Sequence, residues 1–171
     1  MIDIVYNKNL VKFDNEFGFS KIYSLDDIKA IEGKDEKSIR KFLENKNNDL
    51  LFGIEKFGLK DKIKQKDSGL NQVLCKLAKK NEIKIGFSFS DLLNADDEKR
   101  AIILGRMVQN VILCNKYGVD MIIGSFAKNK YEMRSPNDLI AFGRLLGMRK
   151  IWNEKIDNFF KEENIGIIRI K

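Results

Sequence analysis

Residues 83–124 read IKIGFSFSDLLNADDEKRAIILGRMVQNVILCNKYGVDMIIG, and this stretch decides the fold class. It opens and closes on short apolar runs, Ile83–Phe87 and Met121–Gly124, of the kind found in strands covered on both faces. Between them a helical pattern runs from about Asp96 to Tyr117. Ala101, Leu104, Val108 and Val111 mark its apolar side, widened by Ile103, Met107 and Cys114. Lys99, Arg106, Gln109, Asn110 and Lys116 fall on the opposite stripe, which the periodicity assigns to solvent. Gly118 stops the helix. A strand, a long helix and a second strand in this order make a parallel α/β unit.

The same alternation continues on both sides. Further strands are predicted at Ile2–Tyr6, Phe19–Tyr23, Leu50–Glu55 and Ile165–Ile170. Ser24 is expected to cap a short helix reaching Ile31, and Asp35 to Asn45 reads as a lysine-rich surface helix. Asp67 or Ser68 is expected to cap the next helix, whose stripe is Leu70, Val73, Leu74, Leu77 and Ala78. Ser135-Pro136-Asn137-Asp138 places Ser at the N-cap, Pro at N1 and Asp at N3 of a helix ending at Gly147. A last helix, about Lys150 to Glu162, would bury Trp152, Ile156, Phe159 and Phe160. A full eight-unit barrel needs about 250 residues. Only six strands are clear, so any barrel must be pared down, and at this length residues 1–171 are expected to form a single domain.

Composition narrows the chemistry. The chain has 171 residues, 43% of them apolar, a net charge of +7 and no histidine. The positive balance suits an anionic partner such as nucleic acid. The missing histidines remove the commonest general base and metal ligand. Cys75 and Cys114 lie in apolar helical patterns and read as buried thiols, too few and too far apart for a cysteine-rich zinc site. No run is long enough to cross a bilayer, and MIDIVYNK at the start does not resemble a secretion signal, so a cytoplasmic protein is expected. There is no phosphate-binding P-loop and no GxGxxG.

In parallel α/β proteins function collects in the loops after the strands. Three stand out: Lys56–Lys66, leading into Asp67-Ser68-Gly69-Leu70-Asn71; Ser88-Phe89-Ser90-Asp91; and Ser125 to Ser135. In the third, Phe126 and Tyr131 lie among Lys128, Lys130 and Arg134. Cations neutralise phosphates, arginine forks onto them, and rings stack on unpaired bases. The competing reading packs Phe126 under the loop and leaves the lysines solvated. Helix capping explains Asp67 and Asp138 better than catalysis does. Ser88, Ser90 and Ser125 lack a histidine to activate them.

Several of these segments resemble one family in order. Asp67-Ser68-Gly69-Leu70-Asn71-Gln72-Val73-Leu74, Ile85-Gly86-Phe87-Ser88, Arg106 with Leu113 and Lys116-Tyr117-Gly118-Val119, Ser125-Phe126-Ala127 and Met133-Arg134-Ser135-Pro136-Asn137-Asp138-Leu139 are similar to the ribonuclease P protein component 3 family. That family is the archaeal counterpart of the eukaryotic 30-kDa subunit. The resemblance covers about residues 65–150. It implies a TIM-like (βα) barrel related to the polymerase/histidinol phosphatase-type barrels, without their metal cluster. It also implies a non-catalytic subunit that binds and stabilises the RNA which, with Mg²⁺, cleaves the 5′ leader from precursor tRNA. The implied partners are that RNA, precursor tRNA indirectly, and a small RRM-like protein subunit in a two-plus-two heterotetramer, with no membrane and no cofactor on the protein itself. Carried onto matching positions, the implied RNA contacts are Arg134, Lys116 and then Arg106. Asp138 would cap its helix and orient Arg134. Lys128 and Lys130 are added from the loop itself. The alternative from a different class is a Mg²⁺-dependent phosphoesterase gathering Asp3, Glu55, Asp67 and Asp91.

Overall fold

The computed structural model describes residues 1–56 and 68–154. In chain order it holds β1 (Ile2–Val5), α1 (Asp14–Phe17), β2 (Lys21–Ser24), β3 (Ala30–Glu32), α2 (Glu36–Glu44), β4 (Leu50–Phe52), α3 (Gln72–Lys80), β5 (Lys84–Ser88), α4 (Phe89–Leu93), α5 (Asp97–Tyr117), β6 (Met121–Gly124) and α6 (Pro136–Leu145). Every ladder is parallel: β1 with β2, and β3-β4-β5-β6 in sequence order. The α/β class with parallel sheets therefore follows as the central βαβ unit indicated. The expected strand at Ile165–Ile170, most of the last helix and Asp67 lie outside the described residues.

The two sheets run into one another. Beyond the strand ends Phe126 donates its backbone N–H to Ile4 at 2.8 Å, and Tyr6 donates to Ala127 at 2.9 Å. Buried Asn153 completes the seam, donating to the carbonyls of Ile2 (2.9 Å) and Ile123 (2.7 Å) and accepting from the Ile123 N–H (3.2 Å). The series is thus β2-β1-β6-β5-β4-β3. On a flat sheet β1 and β3 would stand about 19 Å apart, four strand spacings. Yet the Tyr6 phenol, just past β1, lies beside Glu32 of β3, and its ring centroid is 5.8 Å from that of Phe52 on β4. The sheet must curl to bring them together. Among the described residues no ladder joins β2 to β3, so the wall is open on that side.

Curling separates two cores. Inside the wall Ile2, Ile4, Tyr23, Ile28, Leu50, Phe52, Ile122 and Phe126 form one buried cluster. Gly86 belongs to this inner face: a Cβ there would stand 3.0 to 3.1 Å from Leu50, Phe126 and Phe52, which fill the space a side chain would need. Outside, Val5, Ile22, Leu51, Ile85, Phe87 and Ile123 pack under the helices with Leu74, Ala78, Ile103, Met107, Val111 and Leu139. The free thiols of Cys75 and Cys114 are buried there and hydrogen-bond each other between α3 and α5.

Several local expectations are corrected. Ser24 forms its capping box over a single 3-10 turn, Leu25–Asp27, and no helix continues to Ile31. Ala30–Glu32 instead pairs with β4 as a strand, after Lys29 donates its N–H to the Asp49 carboxylate at 3.0 Å. The cap of α3 is Asn71, whose Oδ1 accepts from the N–H groups of Val73 and Leu74, and Ser68 does not hold that position. Gly69, at φ +83°, turns the chain between Ser68 and that cap. The strand after Leu50 stops at Phe52, because Gly53 takes φ +65° and a 3-10 turn, Ile54–Lys56, follows. By contrast α5 and α6 begin at Asp96 and Ser135 as their caps predict, and Gly118 closes α5 in the left-handed conformation.

Candidate nucleic-acid interface

The loop following β6 is anchored before it reaches the surface. Ser125 donates its N–H (2.7 Å) and hydroxyl (2.5 Å) to the two oxygens of buried Asp3. Burial pushes the Asp3 carboxyl up to about 6, with the Ser125 bonds opposing the rise. Phe126 adopts φ +48°, an unfavourable conformation for a bulky residue. It is held there by its bond to Ile4 and by its ring, fully buried and stacked on Phe52 at 5.0 Å between centroids. Phe126 therefore packs under the loop and takes no part in surface recognition.

From Lys128 the chain emerges and is gathered around one carboxylate. Glu132 is buried, and its Oε2 accepts from the Lys128 N–H (2.8 Å) and the Ser90 hydroxyl (2.7 Å), while Oε1 accepts from the Asn129 amide (2.7 Å). Burial alone would raise its pKa, but these bonds and one from Asn94 hold it below the ordinary glutamate value. Asn129 Oδ1 in turn accepts the Tyr131 N–H at 3.0 Å and starts the 3-10 turn Lys130–Glu132. A rigid turn results, with Tyr131 at its tip, 89% exposed.

The loop's three cations are all at the surface or half-buried, each over a ring. The Lys128 ammonium is 5.2 Å from the Tyr6 centroid, that of Lys130 is 4.6 Å from Phe13, and the Arg134 guanidinium is 5.2 Å from Phe89. Lys130 also pairs with Glu16 at 2.6 Å. Arg134 spends one nitrogen, Nη1, on the carbonyls of Tyr131 (2.9 Å) and Met133 (2.7 Å). Among the described residues its Nε and Nη2 make no bond, so one edge of the guanidinium fork stays open. The cap of α6 is Ser135 rather than Asp138: its Oγ accepts the Asp138 N–H at 3.3 Å and donates to the Asp138 carboxylate at 2.8 Å. No bond among the described residues joins Asp138 to Arg134, which takes its orientation from the two carbonyls instead.

The remaining predicted cations lie elsewhere. α5 runs antiparallel to the strands it connects, so Lys116 near its C-terminus sits where β6 begins, at the opposite end from the Ser125–Ser135 loop. Lys116 is exposed there, over the Tyr117 ring. The solvent-face placement of Arg106 is corrected: it is 1% exposed and donates Nη1 to the Glu55 carbonyl at 3.1 Å. Asn110, one turn on, is also buried and donates to the Glu55 carboxylate (2.8 Å) and the Ser68 carbonyl (2.9 Å). Leu104, Val108 and Ile112 face solvent in their stead. α5 is apolar on more than one side, so periodicity alone did not choose the buried face.

Asp67 of the phosphoesterase alternative lies outside the described residues, and its other three carboxylates do not form one set. Asp3 is committed to Ser125, Glu55 to Asn110, and Asp91 to Lys56 at 3.0 Å, with Glu32 completing that ion pair on the other side. Among the described residues no three His, Cys, Asp or Glu side chains are placed to hold a metal ion. The constellation is thus an internal cation bridging two carboxylates beside Tyr6, where a divalent ion would need those carboxylates unpaired.

Comparison with known proteins settles the family. Residues 5–156 match the family model described as RNase P subunit p30. The chain belongs to the RNase P subunit p30 family. It is 32% identical to ribonuclease P protein component 3 of Methanosarcina mazei over 130 residues, 76% of this chain and 51% of that protein. It is 35% identical to the same component of Methanococcoides burtonii over 124 residues, covering 72% and 48%. It thus spans about half the length of these relatives. Among solved structures it resembles a chain of an archaeal ribonuclease P determined by cryo-EM with mature tRNA, at a TM-score of 0.63 and 28% identity, covering 86% of this chain and 73% of that one.

For this p30-family chain, sequence reasoning missed Glu132 and Asn153. Glu132 reads as one more loop acid, and its only signal is a lone carboxylate set among Lys128, Lys130 and Arg134. Asn153 sits beside Trp152 in what reads as a helix, and nothing in the pattern marks it as the seam between β1 and β6.

Proposed function

We propose that this chain is a protein subunit of ribonuclease P that binds and stabilises the catalytic RNA cleaving the 5′ leader from precursor tRNA. The observation that carries the reading is the family match over residues 5–156. The curled parallel wall supports assigning it to a TIM-like barrel of one domain, the fold that the resemblance implies. Chemistry at the metal ions would belong to the RNA: among the described residues Asp3 is bound to Ser125, Glu55 to Asn110, and Asp91 and Glu32 to Lys56. Lys128 and the open edge of Arg134 are the groups best placed to meet phosphates, the Lys128 backbone being held by Glu132 and the Arg134 guanidinium by the Tyr131 and Met133 carbonyls, which limits the freedom lost on binding. Lys116 would meet a second stretch of backbone at the far end of α5. Arg106, buried, would act through the fold. A small RRM-like subunit, in a two-plus-two assembly, is the protein partner that the resemblance implies, and the cytoplasm is the compartment expected for precursor-tRNA processing. Among the described residues no helix is long and apolar enough to cross a membrane.

Reconstitution tests the reading. Added with the RRM-like subunit to the cognate RNA at limiting Mg²⁺, the protein should raise the rate of leader removal from precursor tRNA. If correctly folded components give no gain, the proposal fails.

A further inference from the structure

We propose that Tyr131 is a stacking platform for one unpaired RNA base, set between the cations that take the flanking phosphates. This rests on the RNA-binding reading above and names the kind of nucleotide that the loop takes. At 89% exposure Tyr131 is the most exposed large apolar side chain among the described residues. Folding gains nothing from leaving an aromatic ring in water, and surface turns are ordinarily filled with small polar residues.

The geometry around it explains what the ring is for. Lys128, Lys130 and Arg134 cover Tyr6, Phe13 and Phe89 respectively. Tyr131, which lies between them in sequence, has no ring or cation contact and no side-chain hydrogen bond among the described residues. Its face is open while each neighbouring ring carries a cation. Its backbone is nonetheless fixed: the N–H goes to Asn129, the carbonyl to Arg134, and the next residue, Glu132, ties the turn to Ser90 of α4. A bare aromatic ring on a fixed backbone, in a loop that also carries Lys128, Lys130 and Arg134, matches the way single-stranded nucleic acid is held. The base stacks on the ring, and the phosphates on either side meet lysine and arginine. A paired base presents no free face, so the platform selects unpaired nucleotides. A protein-binding anchor is the less fitting occupant, since interface centres are depleted in lysine and the same short loop carries Lys128 and Lys130.

The test uses the full chain with two probes, a short single-stranded oligoribonucleotide carrying 2-aminopurine and a fully paired RNA duplex of equal length. Tyr131→Ala should weaken binding to the single strand about five- to hundred-fold. It should abolish the change in 2-aminopurine fluorescence, and leave both the salt dependence and duplex binding as in the wild type. Tyr131→Phe and Tyr131→Trp should restore single-strand affinity. Because the side chain is 89% exposed, the alanine variant should melt at the wild-type temperature. Wild-type single-strand affinity in the alanine variant overturns the stacking role while leaving the RNA-binding reading intact. Equal losses on duplex and single strand, or a shallower salt dependence, also overturn it. So does a loss confined to binding of a protein subunit. If the wild-type protein binds neither probe, the RNA-binding reading itself fails and the platform with it.

Discussion

The carboxylate of Glu132 and the hydroxyl of Ser90, 42 positions apart in sequence, are joined at 2.7 Å in a buried contact that fastens the loop after β6 to the helix after β5. Glutamine is the closest isostere of Glu132, and neither orientation of its amide keeps all three bonds. An amide N–H on one side would face the Lys128 N–H. On the other it would face the Asn129 amide, whose oxygen is already committed to Tyr131. Glu132→Gln is expected to destabilise the loop by about 1–3 kcal/mol. Faster hydrogen exchange at the Lys128 and Tyr131 amides would read this out. The pH dependence has a definite sign. The folded pKa lies below the ordinary 4.5, so the contribution is complete above that value and is lost as pH falls through the lower, folded one. Exchange protection in the wild type should therefore fall on acidification below about pH 4.5, while the glutamine variant should show no such step.

Arg134 offers a second measurement. Its Nη1 holds the turn and its other edge is open, so charge and fork geometry make separable contributions. Arg134→Ala should reduce the slope of log affinity against log salt by about one for RNA binding. Arg134→Lys should keep the slope yet bind more weakly, because a lysine cannot at once brace the two carbonyls and fork a phosphate. An alanine variant with the wild-type slope would remove Arg134 from the interface.

How far the fold was legible can be judged from particular residues. α5 and α6 were readable because their boundaries rest on local chemistry: Asp96, Gly118 and the Ser135-Pro136-Asp138 start each act within a few residues. Local signals misled where two were alike. Ser68 and Asn71 are both capping types, and only the turn at Gly69 decides between them. Arg106 and Asn110 were placed on the wrong face because their burial depends on Glu55 and Ser68, more than forty positions away. β3 is three residues long and carries no periodicity; it exists because β4 is there to pair with it. At the interface the sequence pointed to the correct loop but not to its organisation. Phe126 and Tyr131 look equivalent in the chain, and tertiary structure buries one and exposes the other.

Glu55 yields a prediction of opposite sign to that for Glu132. It is 1% exposed, and burial raises its carboxyl to about 7 despite the bond from Asn110. The native state then binds more protons than the unfolded state between about pH 4.5 and 7, so stability should fall as pH rises through that window and level off above it. Asp3, raised to about 6, adds a smaller decline over the lower part of the same range. Holding a carboxyl at 7 rather than 4.5 makes its ionised form unfavourable by about 3 kcal/mol. Glu55→Gln keeps the acceptor for Asn110 and places an N–H where Oε2 has no partner, in a region where Ser68 Oγ and Asn110 Oδ1 also lack one. The variant is expected to be more stable than the wild type at pH 8, with most of the decline between pH 5 and 7 removed. Urea unfolding across pH measures both, and a variant less stable at pH 8 would refute the account.

The seam between β1 and β6 gives the most demanding test of the curled wall. Asn153 is fully buried and serves three backbone groups, the carbonyls of Ile2 and Ile123 and the Ile123 N–H. Alanine would leave these groups in an apolar surrounding with no partner, at a cost of about 2–4 kcal/mol. Aspartate should be worse, because a carboxylate would face two carbonyl oxygens that can donate nothing. Both variants should therefore lower the melting temperature, aspartate by more, and exchange at the Ile123 amide should accelerate ahead of the amides of β5. If Asn153→Ala unfolds within about 0.5 kcal/mol of the wild type, the two sheets are held together by the Phe126–Ile4 and Tyr6–Ala127 bonds alone, and the amide is not their join.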